Sequence, residues 1–364
     1  MLSVLLVLVR GDWSFGQTTQ PESPVVPTTV PDQAPPPSTV EESQRREDRR
    51  QRRRRQREQS SLSGVEIVQN VVYGEAENRN GTSIELLMDV AVPRRSDQKS
   101  LPAVIYVHGG GFRSGSKEQG GRFIESLARS GYFAASINYR LVGVAPYPAA
   151  VFDVKQAVRF IRENASSLGI DPNRIGIIGV SAGAHLASLI GTSSDAEVFE
   201  AGEETSSAVA CVVAIAGTSD LTTFALQRRP RRGSGQWIEA PESEYEGLLR
   251  QASPLTYVSE DDPPYLLLHG TADEVVPVAQ SEGFAKALRS KNVEVALVTI
   301  EGAGHGFKPD SMLMPTAEFL DAKLGGNLVI FAEQETNVPL RQQNGERPRR
   351  QGSNEQPSRT PFVP

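Results

Sequence analysis

The sequence contains only one cysteine and four histidines. These low numbers limit the disulfides and the histidine-dependent sites that the chain can form. Because Cys211 is alone, no disulfide can form within the chain, and the fold must depend on a packed core. Cys211 lies in the apolar run AVACVVAIAG, where we interpret it as a packed side chain rather than a nucleophile. Metal-ligand clusters, dinucleotide-binding glycine patterns and internal repeats are also missing from the sequence. We therefore expect no metal and no cofactor.

Apolar runs long enough to cross a bilayer are missing at the N-terminal end, where the run at residues 1–9 is too short. Small residues follow at Ser14 and Gly16, which predicts a signal peptide over residues 1–16 with cleavage before Gln17. We accordingly expect export to a periplasmic or extracellular location. No cation precedes the apolar core, so a cytoplasmic location stays an alternative.

Two segments of low complexity flank the remaining chain. Residues 17–62 are first rich in Pro, Thr and Ser and then, over 41–60, rich in Arg and Glu, which predicts a disordered linker. The polar residues 331–364 predict a disordered tail. The Arg-rich part is interpreted either as a solvated mixed-charge linker or as a weak electrostatic contact to polyanions. No nucleic-acid partner is expected, and the sequence does not indicate an oligomeric state.

Residues 63–330 alternate between strand and helix patterns, which predicts one α/β domain with a mostly parallel sheet and helices on both faces. The expected strands begin with a hairpin around Asn80-Gly81 and continue at 101–107, 132–138, 174–180, 208–216, 265–269 and 293–300. The expected helices are 120–130, 148–168, 184–190, 278–290 and 312–324. The looser, polar segment 218–263 is expected to cover the site.

The stretch RIGIIGVSAGAHLASLI, residues 174–190, contains the pattern G-x-S-x-G between an apolar strand and an apolar helix. Such a sharp turn strains the backbone of Ser181 and lifts its hydroxyl clear of the sheet. Gly179 and Gly183 are needed because a side chain at either position would collide where strand and helix cross. The amide of Ala182, at the helix start, is expected to face a developing oxyanion.

Three consecutive glycines follow the buried strand at 101–107, in the segment His108-Gly109-Gly110-Gly111-Phe112. Without Cβ atoms the backbone can turn its N–H groups toward one point, which suits an oxyanion hole. A flexible glycine loop or a phosphate cradle are the alternatives. A Walker-type phosphate loop requires Gly-Lys-Ser/Thr, which does not follow here.

A serine nucleophile needs a base and a group that orients the base. Of the four histidines, His305 lies in a glycine-rich loop after the last strand and is our candidate base. His185 is interpreted as a packed residue of the elbow helix, and His108 and His269 as residues that brace loops. Asp273, after the strand 265–269, is the candidate orienting carboxylate, with Asp220 as its rival. The adjacent Glu274 is expected to point elsewhere.

The order Ser181, Asp273, His305 is the order expected in α/β-hydrolases. The chain resembles the lipase/esterase branch of that superfamily, including its feruloyl- and acetyl-esterase-like domains, over roughly residues 65–326. The resemblance is carried by HGGGF (108–112), NYRL (138–141), DPNRIGIIGVSAGAHLA (171–187), HGTADEVVP (269–277) and GAGHGF (302–307). It implies that Ser181 is the nucleophile, His305 the base and Asp273 its orienter, with oxyanion-hole N–H groups from Gly110, Gly111 and Ala182. The sequence before the hairpin shows no pattern for the long N-terminal helical cap of hormone-sensitive-lipase-type enzymes.

These expectations amount to hydrolysis of carboxylic esters through an acyl-enzyme. Esters of short acyl groups, or feruloyl and acetyl esters of carbohydrates, are the expected substrates, either as small molecules or on polysaccharides. A peptidase or amidase of the prolyl-oligopeptidase type shares the triad order and is a second hypothesis. A catalytically silent hydrolase fold that binds polymer through the Arg-rich linker is a third.

Overall fold

The computed structural model describes residues 64–94, 100–227, 237–306 and 309–325. Three predicted segments lie outside the described residues: the signal peptide (1–16), the linker (17–62) and the tail (331–364). Residues 228–236 of the predicted cover also lie outside them. No helix within the described ranges is long and apolar enough to cross a membrane.

Within the described residues, eight strands form one sheet in the order β1-β2-β4-β3-β5-β6-β7-β8. Strand β2 pairs antiparallel with β1 and with β4, and the remaining neighbours are parallel. The expected mostly parallel sheet is thereby confirmed. The bounds are β1 Val65–Glu77, β2 Ser83–Pro93, β3 Leu101–Val107, β4 Phe133–Ile137, β5 Ile170–Val180, β6 Cys211–Ile215, β7 Tyr265–Gly270 and β8 Val295–Ile300.

The central strands are mostly apolar because helices cover both faces of the sheet, and all seven residues of β3 are buried. One face packs against α1 and α9, and the other packs against α2, α4 and α8. The helices are α1 Gly121–Arg129, α2 Ala149–Glu163, α3 Ala165–Leu168, α4 Ala182–Thr192, α5 Glu197–Glu200, α6 Leu221–Gln227, α7 Glu242–Gln251, α8 Ala279–Ser290 and α9 Pro309–Leu324. Helix α4 is buried along its whole length, as expected for a helix that is apolar on every side.

The structure corrects the single helix expected over residues 148–168, because α2 ends at Glu163 and the short α3 follows. Asn164 separates them with a backbone near φ −91° and ψ 7°, and its side-chain amide donates to the carbonyl of Phe160 at 2.8 Å. An Asn side chain that bonds the preceding turn competes with the helical backbone. The apolar stripe continues across this break, so periodicity alone does not reveal it.

The parallel strands share one carboxyl edge, where the loops after β3, β5, β7 and β8 meet. These loops carry His108–Phe112, Ser181, Asp273 and His305, respectively. In open α/β sheets ligands bind outside the carboxyl ends of the strands. The fold therefore brings every sequence motif of interest to one edge.

Candidate active site

Ser181 occupies the turn between β5 and α4 with φ +56° and ψ −118°, a conformation that a side chain rarely adopts. A Cβ atom built on Gly179 would lie 2.0 Å from the carbonyl oxygen of Gly183. A Cβ atom built on Gly183 would lie 2.1 Å from the carbonyl oxygen of Val107. The close approach of strand and helix therefore requires glycine at both positions, as the sequence pattern predicts.

The Ser181, His305 and Asp273 side chains form one hydrogen-bonded chain. Nε2 of His305 lies 2.8 Å from Oγ of Ser181, and Nδ1 of His305 lies 2.7 Å from Oδ2 of Asp273. An ionised carboxylate only accepts, so Nδ1 of His305 carries the proton and Nε2 accepts from the Ser181 hydroxyl. This arrangement is the one that a serine nucleophile with a histidine base requires.

The Asp273 side chain is fully buried, and its two oxygens have different partners. Oδ1 accepts from the amides of Val275 and Val276 at 2.8 and 2.9 Å, while Oδ2 faces His305. Burial opposes ionisation, but the hydrogen bonds from His305, Val276 and Val275 outweigh it and hold the pKa of Asp273 below its usual value. The carboxylate is therefore charged and fixed in orientation.

The glycine loop after β3 lies beside the elbow, because a Cβ built on Gly109 would meet Cβ of Ser181 at 3.3 Å. Gly110 and Gly111 adopt φ +124° and φ +61°, and a Cβ on Gly110 would lie 2.0 Å from the carbonyl oxygen of Ser114. Within the described residues, no hydrogen bond from the amides of Gly110, Gly111 or Ala182 is found. Their role as oxyanion donors stays a prediction that this geometry allows.

The other three histidines are buried and bonded to their surroundings. The His108 ring stacks on Tyr139 with centroids 4.3 Å apart, and its Nδ1 lies 2.8 Å from the carbonyl oxygen of Gly109. Nδ1 of His185 lies 2.8 Å from the carbonyl oxygen of Thr218, and burial lowers the pKa of His185 to about 4. Both fit the packed and bracing interpretations.

His269 contacts the candidate orienting carboxylate, Asp273, in addition to the loop that it was expected to brace. Its Nε2 lies 2.9 Å from the carbonyl oxygen of Val276 and 3.3 Å from Oδ2 of Asp273. The second contact depends on the path of the turn between His269, at the end of β7, and Asp273. The spacing of four residues between them is the one signal of it in the sequence.

Asp220, the rival carboxylate, is engaged elsewhere. Its Oδ1 accepts from the amide and hydroxyl of Thr222, and its Oδ2 accepts from the hydroxyl of Thr223 at 3.0 Å. These bonds satisfy the first turn of α6, which is the usual role of Asp before a helix. Among the described residues, His305 makes no hydrogen bond to Asp220.

An aromatic cluster attaches the predicted cover to the glycine loop. The Trp237 indole lies parallel to the Phe112 ring with centroids 3.8 Å apart, and His185 and Tyr147 meet the indole edge to face. The backbone amide of Tyr147 donates to the carbonyl of Trp237 at 2.8 Å. Trp237 lies in the segment 218–263 and its partner Phe112 lies 125 residues earlier in the sequence, so only the fold reveals the pair.

No group of histidine, cysteine, aspartate or glutamate side chains able to hold a metal ion is found in the described part of the chain. The sheet order and the elbow turn at Ser181 are those of the α/β-hydrolase fold. The family model BD-FAE matches residues 88–288, and the chain belongs to the BD-FAE family.

Similar proteins include the Esterase LipC of Mycobacterium tuberculosis, which is 33% identical over 230 residues. That match covers 61% of this chain and 57% of LipC, so the chain spans little more than half of this relative. A truncated carbohydrate esterase from gut microbiota aligns with a TM-score of 0.60 at 25% identity, covering 71% of this chain and 96% of that one. A butyrate-bound thermophilic esterase, Est2 of Thermogutta terrifontis, aligns with a TM-score of 0.57 at 29% identity, covering 72% and 94%.

Proposed function

We propose that the chain is a serine hydrolase that cleaves carboxylic esters through an acyl-enzyme. The observation that carries the proposal is the hydrogen-bonded chain from Ser181 Oγ through His305 to Asp273, with bonds of 2.8 and 2.7 Å. The family membership and the esterases among the similar proteins support the same reaction class.

In the first half of the proposed reaction, Oγ of Ser181 attacks the ester carbonyl carbon while Nε2 of His305 takes the hydroxyl proton. Asp273 stabilises the resulting imidazolium through Nδ1. The negative charge on the tetrahedral oxygen is received by N–H groups of Gly110, Gly111 and Ala182, which have no hydrogen bond within the described residues. The intermediate then expels the alcohol, which takes the proton from Nε2 of His305.

In the second half, a water molecule gives its proton to Nε2 of His305 and attacks the acyl carbon attached to Ser181. The new tetrahedral oxygen uses the same N–H groups. Collapse releases the carboxylic acid and returns the proton to Oγ of Ser181. One base thus serves both halves, because the neutral tautomer of His305 is restored at the end of each half.

The proposed substrates are esters of short acyl groups, or feruloyl and acetyl esters of carbohydrates. Support comes from the butyrate bound to one structural neighbour and from a second neighbour that is a carbohydrate esterase. We also propose that the protein is exported and that the Arg-rich residues 41–60 make a weak electrostatic contact with polyanions. Both rest on sequence patterns outside the described residues.

The proposal is tested with the full chain and its Ser181→Ala variant, assayed on p-nitrophenyl esters of increasing acyl length and on an aminoacyl-p-nitroanilide. We expect Ser181-dependent ester turnover that falls as the acyl chain lengthens. Turnover of the anilide alone would replace the proposal with a peptidase or amidase. No turnover of either, with no labelling of Ser181 by a fluorophosphonate, would replace it with a silent fold, for which binding to anionic polymers is the next assay.

A further inference from the structure

His269 is fully buried at the end of β7 and both of its ring nitrogens have partners. Nδ1 lies 2.7 Å from the hydroxyl oxygen of Ser281 in α8. Nε2 faces two oxygens, the carbonyl of Val276 at 2.9 Å and Oδ2 of Asp273 at 3.3 Å. Oδ2 is the same atom that accepts from His305.

The partners determine where the proton of His269 lies. A carbonyl and a carboxylate only accept, so Nε2 carries the proton, which it donates to the carbonyl of Val276 while it faces Oδ2 of Asp273 at 3.3 Å. Burial lowers the pKa of His269, which keeps the ring neutral, and Nδ1 then accepts from the Ser281 hydroxyl. The titratable groups that act on the ring are Asp273 and His305.

We propose that His269 is a positioning residue, whose Nε2–H holds Oδ2 of Asp273 in place for His305 while Ser281 selects the tautomer that makes this possible. The inference rests on the proposed function for its kinetic consequence. Its geometric content, an ordered chain from Ser281 through His269, Asp273 and His305 to Ser181, stands on the distances alone.

The turn from Asp273 to Val276 explains why a second imidazole is effective here. The amide of Val276 donates to Oδ1 of Asp273, the carbonyl of Val276 accepts from His269, and His269 also reaches Oδ2. Two hydrogen bonds and the 3.3 Å contact thus link the three residues in a ring, which restrains rotation of the carboxylate about its own axis. A displacement of about 1 Å at a reacting group costs on the order of 100-fold in rate, so this restraint bears directly on kcat.

Two substitutions of His269 distinguish a role in positioning Asp273 from a role in packing alone. In His269→Gln the longer amide reaches the place of Nε2 and can still donate to Asp273 and Val276. In His269→Asn the shorter amide reaches only the place of Nδ1, so the Ser281 contact remains and the donor to Asp273 is lost. Tyr265→Phe is the matched control. Tyr265 lies in β7, like His269, and the substitution removes its buried hydrogen bond of 3.1 Å to the carbonyl of Ser188.

We expect His269→Asn to lower kcat about 10- to 100-fold with KM nearly unchanged, and His269→Gln to restore most of the loss. Tyr265→Phe should lower the unfolding midpoint without lowering kcat. Equal kcat in the Asn and Gln variants, or an equal loss in Tyr265→Phe, would overturn the proposal. If the Asn variant does not fold, Ser281→Ala takes its place, with a lowered kcat expected and an unchanged kcat contradicting the proposal.

A second readout needs no substrate and therefore separates this proposal from the proposed function. The Nδ1 proton of His305, bonded to a carboxylate, is expected to give a far-downfield line in the one-dimensional proton NMR spectrum. We expect that line to shift or broaden in His269→Asn and to remain in His269→Gln and Tyr265→Phe. A line unaffected by His269→Asn would overturn the positioning role even if no ester is ever hydrolysed.

Discussion

Nε2 of His305 lies 2.8 Å from Oγ of Ser181, although 124 residues separate them in the sequence. The contact exists because β5, β6, β7 and β8 are neighbouring parallel strands, so the loops after β5 and β8 open onto the same edge. The hydroxyl is presented by the strained turn at Ser181 and the imidazole by the loop around Gly302 and Gly304. Only β6 and β7 lie between the two strands that these loops follow.

Asp273→Asn is expected to lower kcat about 10⁴-fold, by analogy with other serine hydrolases. The physical reason is that the amide neither stabilises the imidazolium of His305 nor favours the tautomer with the proton on Nδ1. Asp220→Asn is the matched control, since the Asp220 carboxylate bonds Thr222 and Thr223 instead. Steady-state kinetics on a p-nitrophenyl ester measure both, and a larger loss for Asp220→Asn would reverse the assignment.

The stability of the protein should depend on pH through Asp273, whose folded pKa is lower than its usual value. A depressed pKa contributes stability that is complete above the unfolded value of about 3.9 and is lost as the pH falls through the folded value. We therefore expect the free energy of unfolding of wild type to exceed that of Asp273→Asn near neutral pH. Urea unfolding should show this difference shrinking below about pH 3.9, and a difference that grows on acidification would contradict the sign.

Two helical glycines should respond oppositely to alanine. In Gly183→Ala the new methyl group would lie 2.1 Å from the carbonyl oxygen of Val107, so α4 must move away from the sheet. We expect a loss of about 1–3 kcal/mol in unfolding free energy, together with reduced kcat because Ser181 moves with the helix. Gly283, in α8, has nothing within 4 Å of the added methyl.

Gly283→Ala is thus the control, and we expect it to stabilise the protein by about 0.5–1 kcal/mol because alanine loses less backbone entropy in a helix. Chemical denaturation of both variants measures the contrast. Two variants of similar stability would show that strand and helix do not meet at Gly183 as described.

Trp237→Ala should destabilise the protein by about 3–5 kcal/mol, since a buried aromatic side chain is lost. Activity should fall as well, because the indole supports Phe112 and thereby the glycine loop. Trp237→Phe retains a ring above Phe112 and should keep more of both. Urea unfolding measures the loss of stability, and steady-state kinetics measure the loss of kcat. A Trp237→Ala variant with undiminished kcat would show that the aromatic cluster does not support the site.

Much of the fold could be predicted from local patterns. The apolar run at β3 and the G-x-S-x-G turn depend on neighbouring residues, and both are found where the sequence places them. The break at Asn164 could not be predicted, because a side-chain bond to Phe160 decides it within an unbroken apolar stripe. Helices α6 and α7 are likewise not predicted by the sequence, since the polar segment that contains them has little apolar periodicity.

The candidate site shows the same division. Chain order and loop context favour His305 and Asp273, which lie within hydrogen-bond distance of each other. They leave Asp220 open as a rival, and the partners of the two carboxylates, which only the fold shows, favour Asp273. The contact of His269 with Asp273 depends on a turn whose backbone path no local pattern specifies.

The central claim is that Ser181, activated by His305, is the nucleophile of an ester hydrolase. The most direct measurement is kcat on a short-chain p-nitrophenyl ester for wild type and Ser181→Ala, with fluorophosphonate labelling followed by peptide mapping. We expect a loss of about 10⁴- to 10⁶-fold in kcat and a label on Ser181 in wild type alone. A Ser181→Ala variant that retains kcat within about tenfold, or a label on another residue, would contradict it.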